Sequence, residues 1–361
     1  MIFRKSITAA VLASSLFLFA PVNVKAAPNV TIAQLANETS TLTLSTLFKL
    51  VTSPGQEAIA KALSDPASNL TVFAPTDDAF AGVNASNAKL VNAILNYHIV
   101  QGNYSVESLK SGVNLVQTFL NETLANLPQG QYQVVQVNKT GDAVKVNDAT
   151  VVKPSLFAIN GVVHVIDKVL IPPEKSTKVA KRAGLTQFVA ALVKTKLDVV
   201  VDTIKGVTIF APVDDAFLKS NASILNETTL AAILKLHVVS DIVGYSAGLK
   251  DGQNFSTVAE NATVTIKISN GTVSVNGAKV LIPDVLVENG VIHVIDSVIT
   301  TSSNATNTTK PVGSSTTNST TSDNKSNTTG TNNSSASSVT SVFSVGFIAT
   351  LFAVSVSLVA F

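Results

Sequence analysis

Residues 160–167 read NGVVHVID, and residues 289–296 read NGVIHVID. Each stretch opens with an Asn-Gly dipeptide, which is typical of a tight turn, and continues with β-branched residues, which are typical of a strand. Side chains alternate between the two faces of a strand, so the histidine and the aspartate of one stretch lie on opposite faces. A catalytic dyad within either stretch is therefore excluded. We interpret the four residues as structural and expect the histidines to be half-buried and hydrogen-bonded to a neighbouring loop. They are His164, Asp167, His293 and Asp296.

Internal repetition sets the domain organisation. TVFAPTDDAF at 71–80 recurs as TIFAPVDDAF at 208–217, and ILNYHIV at 94–100 recurs as ILKLHVV at 233–239. The copies keep their order, which indicates two homologous domains, and each has the common size of a domain with its own core. The predicted boundaries are 28–172 for domain 1 and 184–300 for domain 2, joined by a linker at 173–183, which the Pro172-Pro173 pair and clustered charge indicate.

The hydrophobic pattern changes period along each copy. Apolar residues recur at three- and four-residue steps over 90–98 and 230–237, which predicts helices. Period-two alternation follows over 132–137, 143–146 and 263–268, which predicts strands separated by turns. Helices that precede a sheet indicate the α+β class.

Both ends of the chain are typical of an exported protein. In residues 1–26, Arg4 and Lys5 precede an apolar run and a small-residue cleavage site, which predicts a signal peptide. Residues 301–338 are rich in Ser, Thr and Asn and have few apolar residues, so we expect a disordered, glycosylated stalk. Residues 342–361 are apolar and uncharged, and no basic residue follows them, which favours a glycolipid (GPI) attachment signal over a membrane-spanning helix. The candidate attachment residues are Asn333, Ser334 and Ser335.

Composition narrows the chemistry. The chain has no cysteine, so disulfides and thiol catalysis are excluded, and its net charge of +2 has no concentrated basic patch, so we expect no nucleic-acid partner. No cofactor and no metal site are expected, because each domain has only two histidines to offer. The chain carries 19 Asn-x-Ser/Thr sequons, which we take as glycosylation candidates. They are Asn29, Asn37, Asn69, Asn84, Asn103, Asn121, Asn138, Asn221, Asn226, Asn254, Asn261, Asn270, Asn304, Asn307, Asn318, Asn324, Asn327, Asn332 and Asn333.

Paired aspartates follow a strand in each copy. Their position after a proline and before Ala-Phe places them at a helix start, where the unpaired amides and the dipole favour negative charge. We expect Thr76 to be the N-cap in domain 1 and Asp214 to take that role in domain 2. The remaining members of this structural set are Asp77, Asp78 and Asp215.

Ser246 offers an alternative, enzymatic interpretation. GYSAG at 244–248 matches the G-x-S-x-G nucleophile elbow, and Asp284 and His293 follow in the chain order of a hydrolase triad. The elbow needs a strand before the serine and a helix after it, and two nearby glycines leave no room for that helix. We therefore predict no catalytic residue and keep a serine hydrolase only as the alternative.

The segments TVFAPTDDAF, TIFAPVDDAF, Tyr97-His98, NGVVHVID and NGVIHVID together resemble the signature motifs of fasciclin-like domains. The resemblance covers roughly residues 30–300 and implies, for each domain, a β-sandwich or wedge surrounded by short helices. It also implies a secreted or anchored glycoprotein of cell adhesion or of matrix and cell-wall organisation, without enzymatic activity. In animal members the Tyr-His region is linked to integrin binding, which makes Tyr97, His98, Leu236 and His237 the candidate partner-binding residues, with leucine replacing tyrosine in domain 2. Helical spacing by itself favours the alternative that His98 and His237 are hydrogen-bonded residues at the edge of the core.

These observations predict a GPI-anchored adhesion or wall-organising glycoprotein of the fungal or plant type. Its expected partners are a cell-surface or matrix glycoprotein, or a wall polysaccharide, together with the membrane through the lipid anchor. An unanchored protein, secreted or vacuolar, is the alternative location.

Overall fold

The computed structural model describes residues 29–38, 44–83, 87–121 and 125–300, which form two domains of the same architecture. Both belong to one compact unit. Each domain runs through three helices, one strand and a further helical region before its last six strands, so the expected α+β class is confirmed. The predicted signal peptide, stalk and tail, with the candidate attachment residues, lie outside the described residues.

Domain 1 places its helices before most of its sheet. The helices are α1 (Ile32–Glu38), α2 (Ser45–Val51), α3 (Glu57–Ser64) and α4 (Ala88–Tyr97). The strands are β1 (Leu70–Pro75), β2 (Ile99–Gln101), β3 (Gly112–Asn121), β4 (Tyr132–Thr140), β5 (Ala143–Val146), β6 (Ala149–Ala158) and β7 (Gly161–Ile166). A short 3₁₀ helix, Asp77–Phe80, follows β1.

Domain 2 repeats this order. The helices are α5 (Ser176–Arg182), α6 (Thr186–Lys194), α7 (Asp198–Thr203), α8 (Asp214–Lys219) and α9 (Glu227–Leu236). The strands are β8 (Val207–Pro212), β9 (Val238–Ser240), β10 (Asn254–Ser256), β11 (Thr263–Ser269), β12 (Thr272–Val275), β13 (Ala278–Val287) and β14 (Gly290–Ile295).

The predicted linker at 173–183 is wrong, because this segment contains α5, the first helix of domain 2. Ala180 is buried in the core of domain 2, and Ser176 Oγ donates to Asn289 Oδ1 at 2.8 Å. The prolines and charges that indicated a linker lie around the start and on the outer side of this helix, where Arg182 pairs with Glu174.

The strands of each domain form one sheet that bends round on itself. In domain 1 the order is β1-β2-β3-β4-β5-β6-β7 and the sheet closes into a barrel, with β2 and β3 joined through Val100 and Thr118. In domain 2 the corresponding contact is a single bridge between Val239 and Thr257. The first and last strands pair in parallel in both domains, β1 with β7 and β8 with β14.

This parallel pair separates two hydrophobic cores. Every residue of β1 and β7 is buried, because one face packs against the helices and the other lies inside the bent sheet. Val72 and Val163 belong to the helix-side core, whereas Phe73 and Ile166 belong to the core inside the sheet. Domain 2 has the same two-core arrangement.

Two glycines permit the close approach of the parallel strands. A Cβ placed on Gly161 would lie 1.9 Å from the carbonyl oxygen of Leu70, and one placed on Gly290 would lie 1.9 Å from that of Val207. These distances are far below van der Waals contact, so only glycine fits at the start of β7 and β14. The Asn-Gly dipeptides are therefore required for packing as well as for the turn.

The asparagine before each glycine holds three elements together. Asn160 is buried; its Oδ1 accepts from Ile32 N at 2.9 Å, and its Nδ2 donates to the carbonyl of Leu63 at 2.9 Å and that of Asp65 at 3.0 Å. It thus satisfies the start of α1 and the end of α3 from the turn before β7. Asn289 makes the equivalent bonds to α5 and α7.

We predict that Gly290→Ala lowers the free energy of unfolding by more than about 3 kcal/mol, because the methyl group forces β14 away from β8. Denaturant unfolding of the variant, followed by far-UV circular dichroism, measures this loss.

Gly271→Ala is the matched control in the same domain. Gly271 has φ +74° and nothing within 4 Å of an added Cβ, so we expect a loss of only about 1 kcal/mol from backbone strain. Equal losses for the two variants would contradict the close-approach explanation.

Candidate functional site

The Tyr-His segment, predicted to bind a partner, is buried in both domains. Tyr97 is 0% and His98 is 1% exposed, and the side chains that replace them in domain 2, Leu236 and His237, are 5% and 0% exposed. These four side chains are therefore core residues, as the helical spacing favours for His98 and His237, and they offer no surface to a partner. The helix that carries them ends beneath the sheet, so its last residues face the interior.

His98 and His237 tie the end of a helix to the end of their domain. His98 Nδ1 lies 2.7 Å from the carbonyl oxygen of Ile94, and its Nε2 accepts from Leu170 N at 2.9 Å. His237 repeats the pattern with Ile233 and Ile299 at 2.8 and 2.9 Å. A carbonyl can only accept and an amide can only donate, so each ring is neutral, with its proton on Nδ1. Burial lowers the pKa of both histidines to about 4.

Tyr97 has a separate structural role in domain 1. Its hydroxyl donates to the carbonyl of Val134 at 2.9 Å and accepts from Asn147 Nδ2 at 3.1 Å. Burial raises the pKa of Tyr97 well above its ordinary value. Leu236 instead packs in the apolar core inside the sheet of domain 2. The Tyr-to-Leu difference between the repeats therefore reflects internal packing.

The histidines of the NGVVHVID and NGVIHVID stretches bond to neighbouring loops, as predicted. His164 Nε2 donates to the carbonyl of Tyr104 at 2.8 Å, and its Nδ1 accepts from Ser155 N at 3.1 Å. His293 makes the same bonds with Gly244 and Asp284, at 2.8 and 3.3 Å. Burial lowers the pKa of both.

The expected half-burial of these two histidines is wrong. His164 is 1% and His293 is 0% exposed, and each ring stacks on a phenylalanine of the neighbouring parallel strand. The sheet bends over this face of the strand, so it lies inside the second core.

Asp167 and Asp296 are exposed and join the last strand to the start of β6 and β13. Asp167 Oδ1 accepts from Thr150 N at 2.6 Å, and Asp296 Oδ1 accepts from Lys279 N at 2.9 Å. The histidine and the aspartate of each stretch thus bond to different groups, as strand alternation predicts.

The expected N-cap after β1, Thr76, is confirmed by position, whereas the expected N-cap after β8, Asp214, is wrong. Thr76 and Val213 occupy the two N-cap positions without a side-chain bond. Asp77 and Asp214 instead cap the preceding helices α2 and α6: Asp77 Oδ1 accepts from Thr46 N at 2.7 Å, and Asp214 Oδ1 accepts from Gln187 N at 2.8 Å. Partial burial acts to raise the pKa of Asp77, but the bonds from Thr46 and Ser45 outweigh it and the pKa is lowered.

The second aspartate of each pair, Asp78 or Asp215, is exposed in the first turn of the following helix. There a carboxylate interacts favourably with the helix dipole. Adjacent aspartates thus have separate structural roles, one at a distant helix and one at its own.

Ser246, Asp284 and His293 do come together, but not as a hydrolase triad. Ser246 Oγ donates to the Asp284 carboxylate, and Ser246 N donates to Asp284 Oδ1 at 2.8 Å. Both ring nitrogens of His293 bond to backbone groups, so no nitrogen remains to take a proton from the serine. Ser246 also opens a 3₁₀ turn, Ser246–Gly248, after a coil, where the elbow would need a strand and a helix.

The two Tyr-Ser pairs of the sequence are not structurally equivalent. Tyr104 N donates to Thr71 Oγ1 at 2.9 Å, and the residue that makes this bond in domain 2 is Gly244, to Thr208 Oγ1 at 2.8 Å. Tyr104 therefore corresponds to Gly244, and Ser246 corresponds to a valine of domain 1. The repeated Tyr-Ser dipeptide is a coincidence of neighbouring positions.

A contact between the two domains was missed from the sequence. Gln133 Nε2 of β4 donates to the carbonyl of Val287 at 2.9 Å, and Gln136 Nε2 donates to that of Asp284. A loop of domain 1 adds Asn126, whose Nδ2 donates to the carbonyl of Thr203 at 2.9 Å. Val243 of domain 2 packs against the core inside the sheet of domain 1. A signal for this contact was present in the sequence. Domain 1 has the long polar side chains of Gln133 and Gln136 where domain 2 has the smaller Ala262 and Thr265.

A cavity of about 660 Å³ opens between α1, α2 and α3 of domain 1. The described residues that line it are mainly apolar, and none is titratable. No group of three or more metal-ligating side chains occurs among the described residues. Within the same residues, no helix reaches the length and apolar character that crossing a membrane requires.

Sequon asparagines lie on the surface. All those that the structure describes are exposed except Asn121, which is half-buried. Asn84 and the seven sequons from Asn304 onward lie outside the described residues.

We predict that the chain loses stability as the pH falls from 6.5 to about 4. A histidine whose folded pKa lies below its unfolded pKa is protonated more readily in the unfolded chain. Its contribution to the free energy of unfolding is therefore complete above pH 6.5 and is lost as the pH falls below that value. His98 and His237 each contribute up to about 1.4 kcal/mol per pH unit in this window. Denaturant midpoints at several pH values measure the slope.

His98→Gln is the informative variant, because glutamine cannot titrate. We expect a lower stability at pH 7 but a slope between pH 6 and 5 that is smaller by about 1.4 kcal/mol per pH unit. An unchanged slope would contradict the assignment of His98 as a buried neutral ring.

Comparison with known proteins identifies one domain family for both repeats. The model of the Fasciclin domain family matches residues 42–172 and 183–301. A "Fasciclin-like arabinogalactan protein" of Arthroderma benhamiae is 31% identical over 269 residues, which cover 70% of this chain and 63% of that protein. The "Fasciclin-like arabinogalactan protein elcF" of Phaeosphaeria nodorum is 30% identical over 246 residues, covering 64% of this chain and 78% of that protein.

More distant similarity extends to animal proteins. Human periostin is 28% identical over 250 residues, which cover 64% of this chain and 28% of periostin. A solved FAS1 domain pair from the insect cell adhesion molecule Fasciclin I is 20% identical, with a TM-score of 0.36, and the match covers 73% of this chain and 98% of that one. The family model matches both repeats over more than half of the chain. The chain therefore belongs to the fasciclin domain family, with two tandem fasciclin domains.

Proposed function

We propose that this chain is an extracellular adhesion or wall- and matrix-organising glycoprotein that binds protein or polysaccharide partners. The observation that carries the proposal is that all four histidines are buried with both ring nitrogens bonded inside the protein. The serine that resembled a nucleophile is bonded to a carboxylate rather than to an imidazole. The histidines and Ser246, which could otherwise serve in catalysis, thus have structural roles. We therefore propose that function lies in binding at the surface.

The relatives support the same class of function. Two of the fungal relatives are named as fasciclin-like arabinogalactan proteins, and another relative is periostin. The sequence adds a predicted signal peptide, a glycosylated stalk and an anchor signal. Two domains on each chain and many chains on one surface would add avidity to modest single contacts.

The outer bulges of β6 and β13 are the surface that we propose for partner contact. The ladder between β13 and β14 shifts register twice around Ile282, and the ladder between β6 and β7 shifts at the corresponding position. Leu281 and Ile282 are 52% and 55% exposed there, and Val152 of domain 1 is 49% exposed. Exposed apolar residues at a bulge commonly mark an interaction surface.

The positions of the sequons are consistent with this choice. Residues 141–220 and 271–303, which include both bulges, contain no sequon. Glycans elsewhere would therefore leave the bulges accessible to a large partner.

We predict that the double variant Leu281→Asp/Ile282→Asp reduces cell or wall adhesion at least about fivefold, the loss expected for one buried apolar anchor. Adhesion is measured on cells that display equal amounts of each variant. The unfolding midpoint should change little, because both side chains are exposed.

Leu218→Asp is the control, since Leu218 is 51% exposed on α8 near two sequons. We expect it to retain adhesion. Equal loss in the control and the bulge variant would contradict a specific surface at the bulge.

The lipid anchor is a separate prediction. Phosphatidylinositol-specific phospholipase should release the protein from intact cells, and deletion of 342–361 should send it to the medium with loss of adhesion. Retention on the cell after phospholipase treatment would contradict the anchor, and unchanged adhesion after the deletion would contradict its role.

A further inference from the structure

The contact between the two domains uses a different face of each. Domain 1 contributes the donor face, defined by Gln133 and Gln136 on β4. Domain 2 contributes the acceptor face, defined by Gly206, Val243 and residues 284–288. Gly206 N bonds to the carbonyl of Asn126, and a Cβ on Gly206 would lie 2.3 Å from Pro128 Cγ, so the contact is tight there.

Because the domains are homologous, each also has a second, unused face. Domain 1 has an acceptor face and domain 2 has a donor face that take no part in this contact, and we call them the two free ends of the pair. A contact between two different faces is head to tail, so copies of the chain could continue the same packing into a ring or a filament. Sequon asparagines lie on both of these free faces.

The free acceptor face carries two sequons at the equivalent contact positions. Leu70 N and Val207 N bond to the carbonyls of the equivalent asparagines Asn160 and Asn289, so Asn69 corresponds to Gly206. The bonds of Tyr104 and Gly244 to equivalent threonines make Asn103 correspond to Val243.

Both asparagines of this face are exposed and start sequons, Asn69-Leu-Thr and Asn103-Tyr-Ser. A glycan at either position would occupy the space that domain 1 fills against domain 2.

The free donor face carries two further sequons. Asn147 Oδ1 accepts from Gln136 N at 3.0 Å, and Asn276 Oδ1 accepts from Thr265 N at 2.8 Å, so Thr265 corresponds to Gln136. Thr265 Oγ1 donates to Asn254 Oδ1 at 2.7 Å, which places Asn254 on this face.

The second sequon of the free donor face starts at Asn261. Thr118 Oγ1 donates to the carbonyl of Gln133 at 2.8 Å, and Thr257 Oγ1 donates to that of Ala262 at 3.1 Å, so Ala262 corresponds to Gln133. Asn261 directly precedes Ala262. Asn254 and Asn261 are both exposed.

The free acceptor face is also apolar. Phe157 and Ile159 are 38% and 43% exposed in domain 1. The repeat places them at the positions of Leu286 and Glu288, within the segment that domain 1 contacts in domain 2. Without a cover, this face therefore exposes apolar side chains to a second copy.

We propose that N-glycans on Asn69, Asn103, Asn254 and Asn261 cap the two free ends of the domain pair and prevent head-to-tail association with a second copy of this chain. A glycan is bulky and hydrated, so it blocks protein packing at the asparagine that carries it. The proposal rests on export through the secretory route and is independent of the adhesion partner.

The test compares two variants of the full chain, purified in detergent from the cells that export it. The end variant combines Asn69→Gln, Asn103→Gln, Ser256→Ala and Thr263→Ala, which removes the four end sequons while sparing the buried Thr71. The control variant combines Thr140→Ala, Ser223→Ala, Thr228→Ala and Thr272→Ala, which removes four sequons elsewhere on the surface.

Sedimentation velocity from about 1 to about 100 μM covers the range in which weak interfaces associate. We expect the weight-average mass of the end variant to at least about double over this range, whereas the original chain and the control variant remain monomeric. Adding Phe157→Asp to the end variant should restore the monomer, because it places a charge on the free acceptor face.

Three results would overturn the proposal. Glycopeptide mass spectrometry could find the four asparagines of the original chain unmodified, the end variant could stay monomeric, or the control variant could associate equally. None of these results bears on adhesion through the bulges, which is measured separately with cells.

Discussion

The parallel pairing of the first and last strands is the contact on which each domain depends. It brings distant residues into one ladder, Leu70 with Gly161 in β1 and β7, and Val207 with Gly290 in β8 and β14. Glycine is required where the pair begins, because the backbone of the neighbouring strand occupies the place of a Cβ. The asparagine before that glycine then fixes two helices to the same point. One Asn-Gly dipeptide in each domain therefore permits the parallel strand pair, through its glycine, and binds two helices to that pair, through its asparagine.

The few ionisable groups of the interior serve this architecture. The four histidines occupy two kinds of site with opposite tautomers, and in every case the partners are backbone groups. A buried neutral imidazole can satisfy one donor and one acceptor that no water reaches, which explains its use where a helix or a loop ends against the sheet. Because the hydrogen-bonding atoms of all four histidines are occupied by backbone groups, we look for function on the surface.

The two repeats share a fold but differ at the positions that form the domain contact in one of them. Gly206 and Val243 of domain 2 lie against domain 1, whereas the equivalent positions of domain 1 are the sequon asparagines Asn69 and Asn103. Glutamines of β4 bond across the domain contact, whereas β11 has Thr265 at an equivalent position, beside a further sequon. At these equivalent positions one copy is covered by protein and the other faces solvent.

The sequence by itself determined the repeat, the α+β class, the strand faces of the His and Asp residues and the turn before the last strand, because these follow from periodicity and local conformation. Only the tertiary structure decided that Tyr97 and His98 are buried, that Asp77 caps a helix 31 residues earlier, and that 176–182 belongs to domain 2. It also decided which way the Ser246 hydroxyl bonds and which faces join the domains. The partner of a buried polar group is set by packing between distant segments, and neither spacing nor composition carries that information.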